Sequence, residues 1–213
     1  MDELELLKKD WQKQSEKLPK LTHKELYGML LKKSSSIVKW IFIISLLEFV
    51  FWTILSLSLK GTESMARFEA YGADAIFIGL SIVSYIILAY FFYRFYMNYK
   101  NISATDDVRS LMKNILRTRK TVKQYVGFNL IFLFISTFTI LGIQFNKDEQ
   151  MLSVMEQASA NGELFKFYAT TILATLIVLG IAIGLILLLY YLIYGILLKR
   201  LNNNYDELKK LEI

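Results

Sequence analysis

Hydrophobic and polar positions in this chain alternate in long blocks rather than at short amphipathic periods. Four apolar blocks stand out, at about 40–59, 75–97, 125–145 and 168–198. The first is interrupted by Glu48, the second is free of charge until Arg94, and the third has no charge at all. The fourth lies in a run from Phe167 to Leu198 that holds no charge for 32 residues. An α-helix rises about 1.5 Å per residue, so about 20 apolar residues cross a hydrocarbon layer of about 30 Å. Each block therefore predicts one spanning helix, and the fourth is long enough that its helix must tilt or project beyond the bilayer. A soluble core is the wrong alternative, because 213 residues leave too little other chain to cover four helices that are apolar all round.

The polar stretches carry helical signals of their own. Val108, Leu111, Met112, Ile115 and Leu116 follow the i, i+3, i+4, i+7, i+8 pattern of one helical face, with Arg109, Lys113, Arg117 and Lys120 elsewhere on the circumference. This predicts an amphipathic helix over about 104–122, lying on an anionic inner leaflet or packed beneath the spans. Thr22 and Glu25 have capping-box spacing ahead of Leu26, Met29 and Leu30. Ser103 and Asp106 form a weaker counterpart. Aligning Val38-Lys39 with Val122-Lys123 puts each following span behind such a helix, a faint sign of two parallel halves. Leu4, Leu7, Trp11 and Leu18 have heptad-like spacing that stops at Pro19, and Leu201, Tyr205 and Leu208 continue a similar stripe after the fourth block. Leu4, Leu7, Trp11, Leu201, Tyr205 and Leu208 form a candidate partner surface. Its two stripes can pair with each other, with a second copy or with a cytosolic protein; plain amphipathic surface helices are the equal alternative.

The expected fold class is thus all-α, an integral membrane four-helix bundle with cytoplasmic amphipathic helices. N-terminal helices are expected over 1–37, a four-span membrane domain over 38–198 and a C-terminal helical tail over 199–213. The soluble character of the first 37 residues, beginning Met-Asp-Glu-Leu-Glu, does not fit a cleaved signal peptide.

Charge sets the orientation. Of 25 Lys and Arg residues, 21 fall in 1–39, 94–123 and 199–213, leaving Lys60, Arg67, Lys147 and Lys166 for the two opposite loops. Positively charged flanks are retained on the cytoplasmic side, so both termini are expected in the cytoplasm and the chain in a cell inner (plasma) membrane. The same retention explains the net charge of +6, and no zinc-finger spacing, RNA-binding motif or phosphate loop speaks for nucleic acid. The expected partners are the lipid bilayer, a cytosolic or membrane protein, and a second copy of the chain.

Reactive groups are few. The chain has no cysteine and a single histidine, His23, in the polar N-terminal segment, which disposes of disulfides, thiolate metal sites and histidine-held metal or haem. No cofactor, metal or catalytic constellation is expected. Glu48 alone asks for an explanation, since a charge at the centre of a span costs about 2.5–3.5 kcal/mol on insertion scales. It is either a structural acid hydrogen-bonded to a hydroxyl at similar depth, such as Ser84 or Tyr85, or a group that carries protons or binds a cation; the structural reading weighs slightly more. Gly180 and Gly184 make a small-xxx-small pair for helix packing, within the bundle or across a dimer. Tyr90, Tyr93, Tyr96 and Tyr99, and likewise Tyr190, Tyr191 and Tyr194, read as interfacial aromatic belts. Asn129 and Gln144 are polar but near the block ends.

Leu6-Leu7-Lys8-Lys9-Asp10-Trp11, together with Lys32-Lys33-Ser34-Ser35-Ser36-Ile37-Val38-Lys39-Trp40 entering a span, resembles a group of uncharacterised bacterial four-span integral membrane proteins. The resemblance covers most of the chain and carries no catalytic motif. Some similar sequences bear a carotenoid-oxygenase label, which implies an iron held by four histidines; one histidine cannot supply that. The leading expectation is a non-enzymatic regulatory or scaffold component that binds a partner through its cytoplasmic helices. The alternative is a small transporter or channel component using Glu48.

Overall fold

A computed structural model describes residues 22–211, apart from 60, 63–65, 67, 69 and 106. Among these the fold is all-helical, with no strand. Helix α1 is His23–Ser58, α2 Asp74–Ser103, α3 Val108–Lys147 and α4 Glu149–Ala160; α5, Leu164–Tyr190, passes through one π-helical turn at Tyr191–Gly195 into α6, Ile196–Leu211. Four helical stretches, α1, α2, α3 and the run Leu164–Lys210, are long and apolar enough to cross a membrane. The heptad-like stripe Leu4, Leu7, Trp11 lies outside the described residues.

α1 begins at the capping box its sequence encodes. The Thr22 hydroxyl oxygen accepts from the Glu25 N–H at 3.3 Å, and Glu25 accepts from the Thr22 N–H at 2.8 Å. The Thr22 N–H, and with it the Thr22 hydroxyl, both donating to the Glu25 carboxyl, hold it below the usual glutamate range. From there α1 runs 36 residues, roughly 54 Å, well beyond the thickness of a hydrocarbon layer. No proline interrupts it, so the polar base and the apolar block form one rod. The same holds for α3, where the sequence signals suggested a separate helix ending near 122. The helix starts at Val108, capped by Asp107 through the Ser110 N–H at 3.1 Å, and continues unbroken for 40 residues. Its amphipathic part does not lie flat as a surface helix, because the helix beginning there runs straight into the third block.

The core sits at the end where the basic segments gather. Leu30 and Val38 of α1, Ile102 of α2, Leu111 and Ile115 of α3, and Leu201 and Leu208 of α6 form one fully covered cluster. Ile41, Phe91, Phe95, Val122, Tyr125 and Tyr194 form a second directly above it. Leu30 near the start of α1 thus meets Leu208 near the end of α6, so both described ends of the chain lie at one end of the molecule. Buried polar pairs cross the same region: Asn204 Nδ2 donates to Ser34 Oγ at 3.1 Å, and Asn98 Nδ2 donates to Thr121 Oγ1 at 3.0 Å. Each pair joins two helices at one depth and so fixes their vertical offset, which an all-leucine interface would not.

Two expectations made from sequence bear on this packing. Leu201 and Leu208, expected on a partner surface, are 0% exposed and packed against the chain's own α1, α2 and α3, and Tyr205 is partly buried against the same cluster. The apolar stripe of α6 finds its cover within the molecule because α5 and α6 carry it back beside α1. Gly180 and Gly184 mark no close approach inside the chain, since a Cβ added at either would meet nothing within 4 Å. Gly180→Ala/Gly184→Ala is therefore expected to leave the thermal midpoint in detergent unchanged or slightly raised, as alanine is the better helix former. A clear drop would mean that these glycines pack against something the chain does not supply.

Beyond the second cluster the helices loosen. Their apolar blocks face outward, as at Leu47, Ile86, Ile131 and Val178, each more than half exposed, which suits helices surrounded by lipid. At the far end Tyr71 donates to Asp148 at 2.7 Å, and the other oxygen of Asp148 caps α4, accepting from the Met151 N–H at 2.9 Å. α4 closes in a left-handed turn at Gly162 (φ +70°), with the Glu163 N–H returning to the Ala158 carbonyl at 2.8 Å. The block pattern gave no hint of this short helix.

Candidate functional site

Glu48 stands at the junction of the tight core and the open apolar half. It lies eight residues past Trp40, about 12 Å along α1. Three phenols from two other helices converge on its carboxylate. Tyr125 of α3 donates to Oε2 at 3.0 Å, Tyr194 donates to the same oxygen at 3.1 Å, and Tyr190 donates to Oε1 at 2.5 Å. Asn129 Nδ2 donates to the Tyr190 hydroxyl oxygen at 3.1 Å, which aims the one proton of Tyr190 at Glu48.

Local structure explains the convergence. Tyr190 and Tyr194 are four residues apart across the π-helical turn, and Tyr125 and Asn129 are four apart in α3, so each pair shares a helix face. The wide turn brings the ring of Tyr191 within 3.1 Å of where a Gly195 Cβ would stand, a position glycine leaves open. π-bulges recur at functional sites because they redirect side chains locally. The rings also pack on each other: Tyr125 stands 6.4 Å from Tyr190 and 6.2 Å from Tyr194, and the latter two are 5.6 Å apart. Phe91 and Phe95 seat Tyr125 edge-on from α2 at 5.6 and 5.5 Å. Tyr125 and Tyr194 are each 2% exposed, so the cluster is a fixed floor rather than a set of mobile surface groups.

Above this floor is a cavity of about 660 Å³, bounded by Ile44, Leu47, Phe51 and Trp52 of α1, Ser84 and Leu88 of α2, Phe132, Leu133 and Ser136 of α3, Ile186 and Leu189 at the end of α5, and Ile193 of the π-helical turn. Glu48, Tyr125, Asn129 and Tyr190 supply its polar end. Several wall residues, Leu47, Phe51, Trp52 and Leu189, are also more than half exposed on the outside of the molecule, so the cavity opens sideways where lipid would lie. Its volume falls in the range of sites that hold small molecules, about 300–1,000 Å³. Among the described residues no lysine, arginine or histidine is paired with Glu48, and no group of three metal-ligating side chains gathers anywhere.

The hydroxyls that meet Glu48 are not the two that its depth in the first block suggests. Ser84 lines the same cavity without bonding to Glu48, and Tyr85 is half exposed with its ring packed edge-on against Phe49 at 5.9 Å. Two of the three partners, Tyr190 and Tyr194, belong by sequence to an expected interfacial belt. That reading suits Tyr191, which is 72% exposed, but Tyr190 and Tyr194 turn inward. The i, i+4 spacing of Tyr190 with Tyr194 and of Tyr125 with Asn129 was the available signal; which helix faces Glu48, and at what height, was not.

The profile of a protein family described as a domain of unknown function, DUF8845, matches residues 24–213, nearly the whole chain. No curated protein and no solved structure matches it.

Proposed function

The chain belongs to the DUF8845 family, whose function is unknown, and from the geometry of its own residues we propose that it is a non-enzymatic multi-pass membrane protein that binds an amphiphilic molecule inside the bilayer at Glu48. The observation that carries this is the convergence of three tyrosines on one carboxylate at the floor of a cavity whose wall opens toward lipid. A carboxylate in an apolar layer is expensive, and a purely structural acid needs a hydroxyl or two, not a 660 Å³ space beside it. The polar floor would hold a head group and the apolar walls a chain, with entry through the gap between α1 and α5.

In this reading the protein sits in a bacterial inner membrane with the basic end, and so both termini, in the cytoplasm, because 21 of 25 Lys and Arg residues flank that side. Binding at Glu48 supports a small transporter or binding component better than docking of a partner on the cytoplasmic helices. Of the candidate partner surface, Leu201 and Leu208 are already covered and Tyr205 is partly buried, which leaves Leu4, Leu7 and Trp11 to carry most of the regulatory alternative.

The test is photolabelling in phosphatidylcholine nanodiscs with a fatty alcohol carrying a diazirine on its chain. Labelling is expected to concentrate on the less exposed wall residues Ile44, Leu133, Ser136 and Ile186 over the lipid-facing Ile86, Val178 and Leu185. Ser136→Trp, which fills the space, should cut it about threefold or more. Equal labelling of cavity and outer faces would overturn the reading.

A further inference from the structure

We propose that the head group received by this site is a cationic amine, so that the ligand is an alkylammonium-type amphiphile rather than a neutral or anionic lipid; this rests on the reading above. The phenolic donors at the floor are already committed. Tyr125, Tyr190 and Tyr194 have one proton each, and all three are directed at Glu48. One N–H of the Asn129 amide also donates to Tyr190, so the strongest group the floor presents to the cavity is an acceptor, the Glu48 carboxylate. A phosphate or carboxylate head arriving there would meet a carboxylate and no free cation, an arrangement that like-charge repulsion opposes strongly in an apolar layer.

A cation meets the opposite conditions. Three hydrogen bonds leave a carboxylate, with about four lone-pair sites, room for one further donor. No lysine, arginine or histidine among the described residues supplies the balancing charge. The rings of Tyr125, Tyr190 and Trp52 border the same space, and aromatic rings attract an ammonium group, tryptophan most strongly. A bare metal ion fits poorly: a hard cation needs about six oxygen ligands, and no group of three or more acidic, histidine or cysteine side chains gathers among the described residues. The remaining lining is apolar, which suits a chain attached to the head and not a hydrated ion.

The experiment competes the photoprobe from wild-type protein in phosphatidylcholine nanodiscs with decylamine, decanol and decyl sulfate, compared at equal amounts partitioned into the bilayer. Decylamine is expected to halve cavity labelling at a concentration about tenfold below that of decanol, with decyl sulfate weakest. Glu48→Gln, which keeps the shape and an acceptor oxygen without the charge, should bring amine and alcohol within about twofold of each other. Glu48→Asp, which keeps the charge, should retain the amine preference and serves where the Gln variant does not fold. Equal competition by decylamine and decanol in the wild type, or an amine preference that survives Glu48→Gln, would overturn the head-group assignment while leaving the cavity reading standing. Absence of cavity labelling by the photoprobe would overturn both.

Discussion

Replacing Tyr125, Tyr190 and Tyr194 together by phenylalanine is expected to destabilise the protein by more than the sum of the three single changes, and adding Glu48→Leu to that triple variant is expected to restore much of the loss. Each single Tyr→Phe removes one of three hydrogen bonds to Glu48, and such bonds inside membranes are worth about 0.6 kcal/mol and rarely above 1.7. The remaining donors still serve the carboxylate, so each single loss is modest. Removing all three strips a half-buried carboxylate of every partner the structure gives it, and an uncompensated charge of that kind costs about 3–5 kcal/mol. Glu48→Leu then removes the charge itself and leaves apolar groups facing apolar groups. The comparison is a mutant cycle read by equilibrium unfolding in mixed detergent micelles. Strict additivity, with no rescue by Glu48→Leu, would show that the phenols do not serve Glu48 as a unit.

Leu201→Ala and Leu208→Ala are each expected to cost about 2–5 kcal/mol, while Leu185→Ala is expected to change stability by a small fraction of that. Leu201 and Leu208 are 0% exposed in a cluster at the basic end, and cutting either back leaves a void among Leu30, Ile102, Leu111 and Ile115. That end lies past the apolar block, two residues beyond Lys199 in the case of Leu201, where water makes apolar burial favourable. Leu185 is 59% exposed on α5, and lipid tails are as apolar as the side chain they would replace. Thermal unfolding of the purified chain alone distinguishes the two roles of the α6 stripe. A stability loss without any added protein is the signature of an internal core; unchanged stability with loss of a co-purifying protein would return Leu201, Tyr205 and Leu208 to a partner surface.

These two results concern the two halves of the molecule, and the halves obey different physics. At the basic end, apolar contact and buried pairs such as Ser34 with Asn204 set the helix positions. In the apolar half the helices gain little from touching one another, so they separate and leave the space next to Glu48. The cavity is thus a consequence of where the core ends.

By itself the sequence determined the helical class, the four apolar blocks and the capping box at Thr22, because composition over 20 residues and spacing over three or four are local properties. It also isolated Glu48, because an ionisable group in an apolar block stands out without reference to any other residue. Only the tertiary structure decided what meets Glu48. Tyr125, Tyr190 and Tyr194 lie 77, 142 and 146 residues away along the chain, and their meeting depends on the rotation and vertical offset of three helices together with one π-helical turn. The same holds for the cover over Leu201 and Leu208 and for the open space beside Gly180 and Gly184: a stripe or a glycine pair shows that a face suits contact, and the packing of distant helices decides which contact it makes.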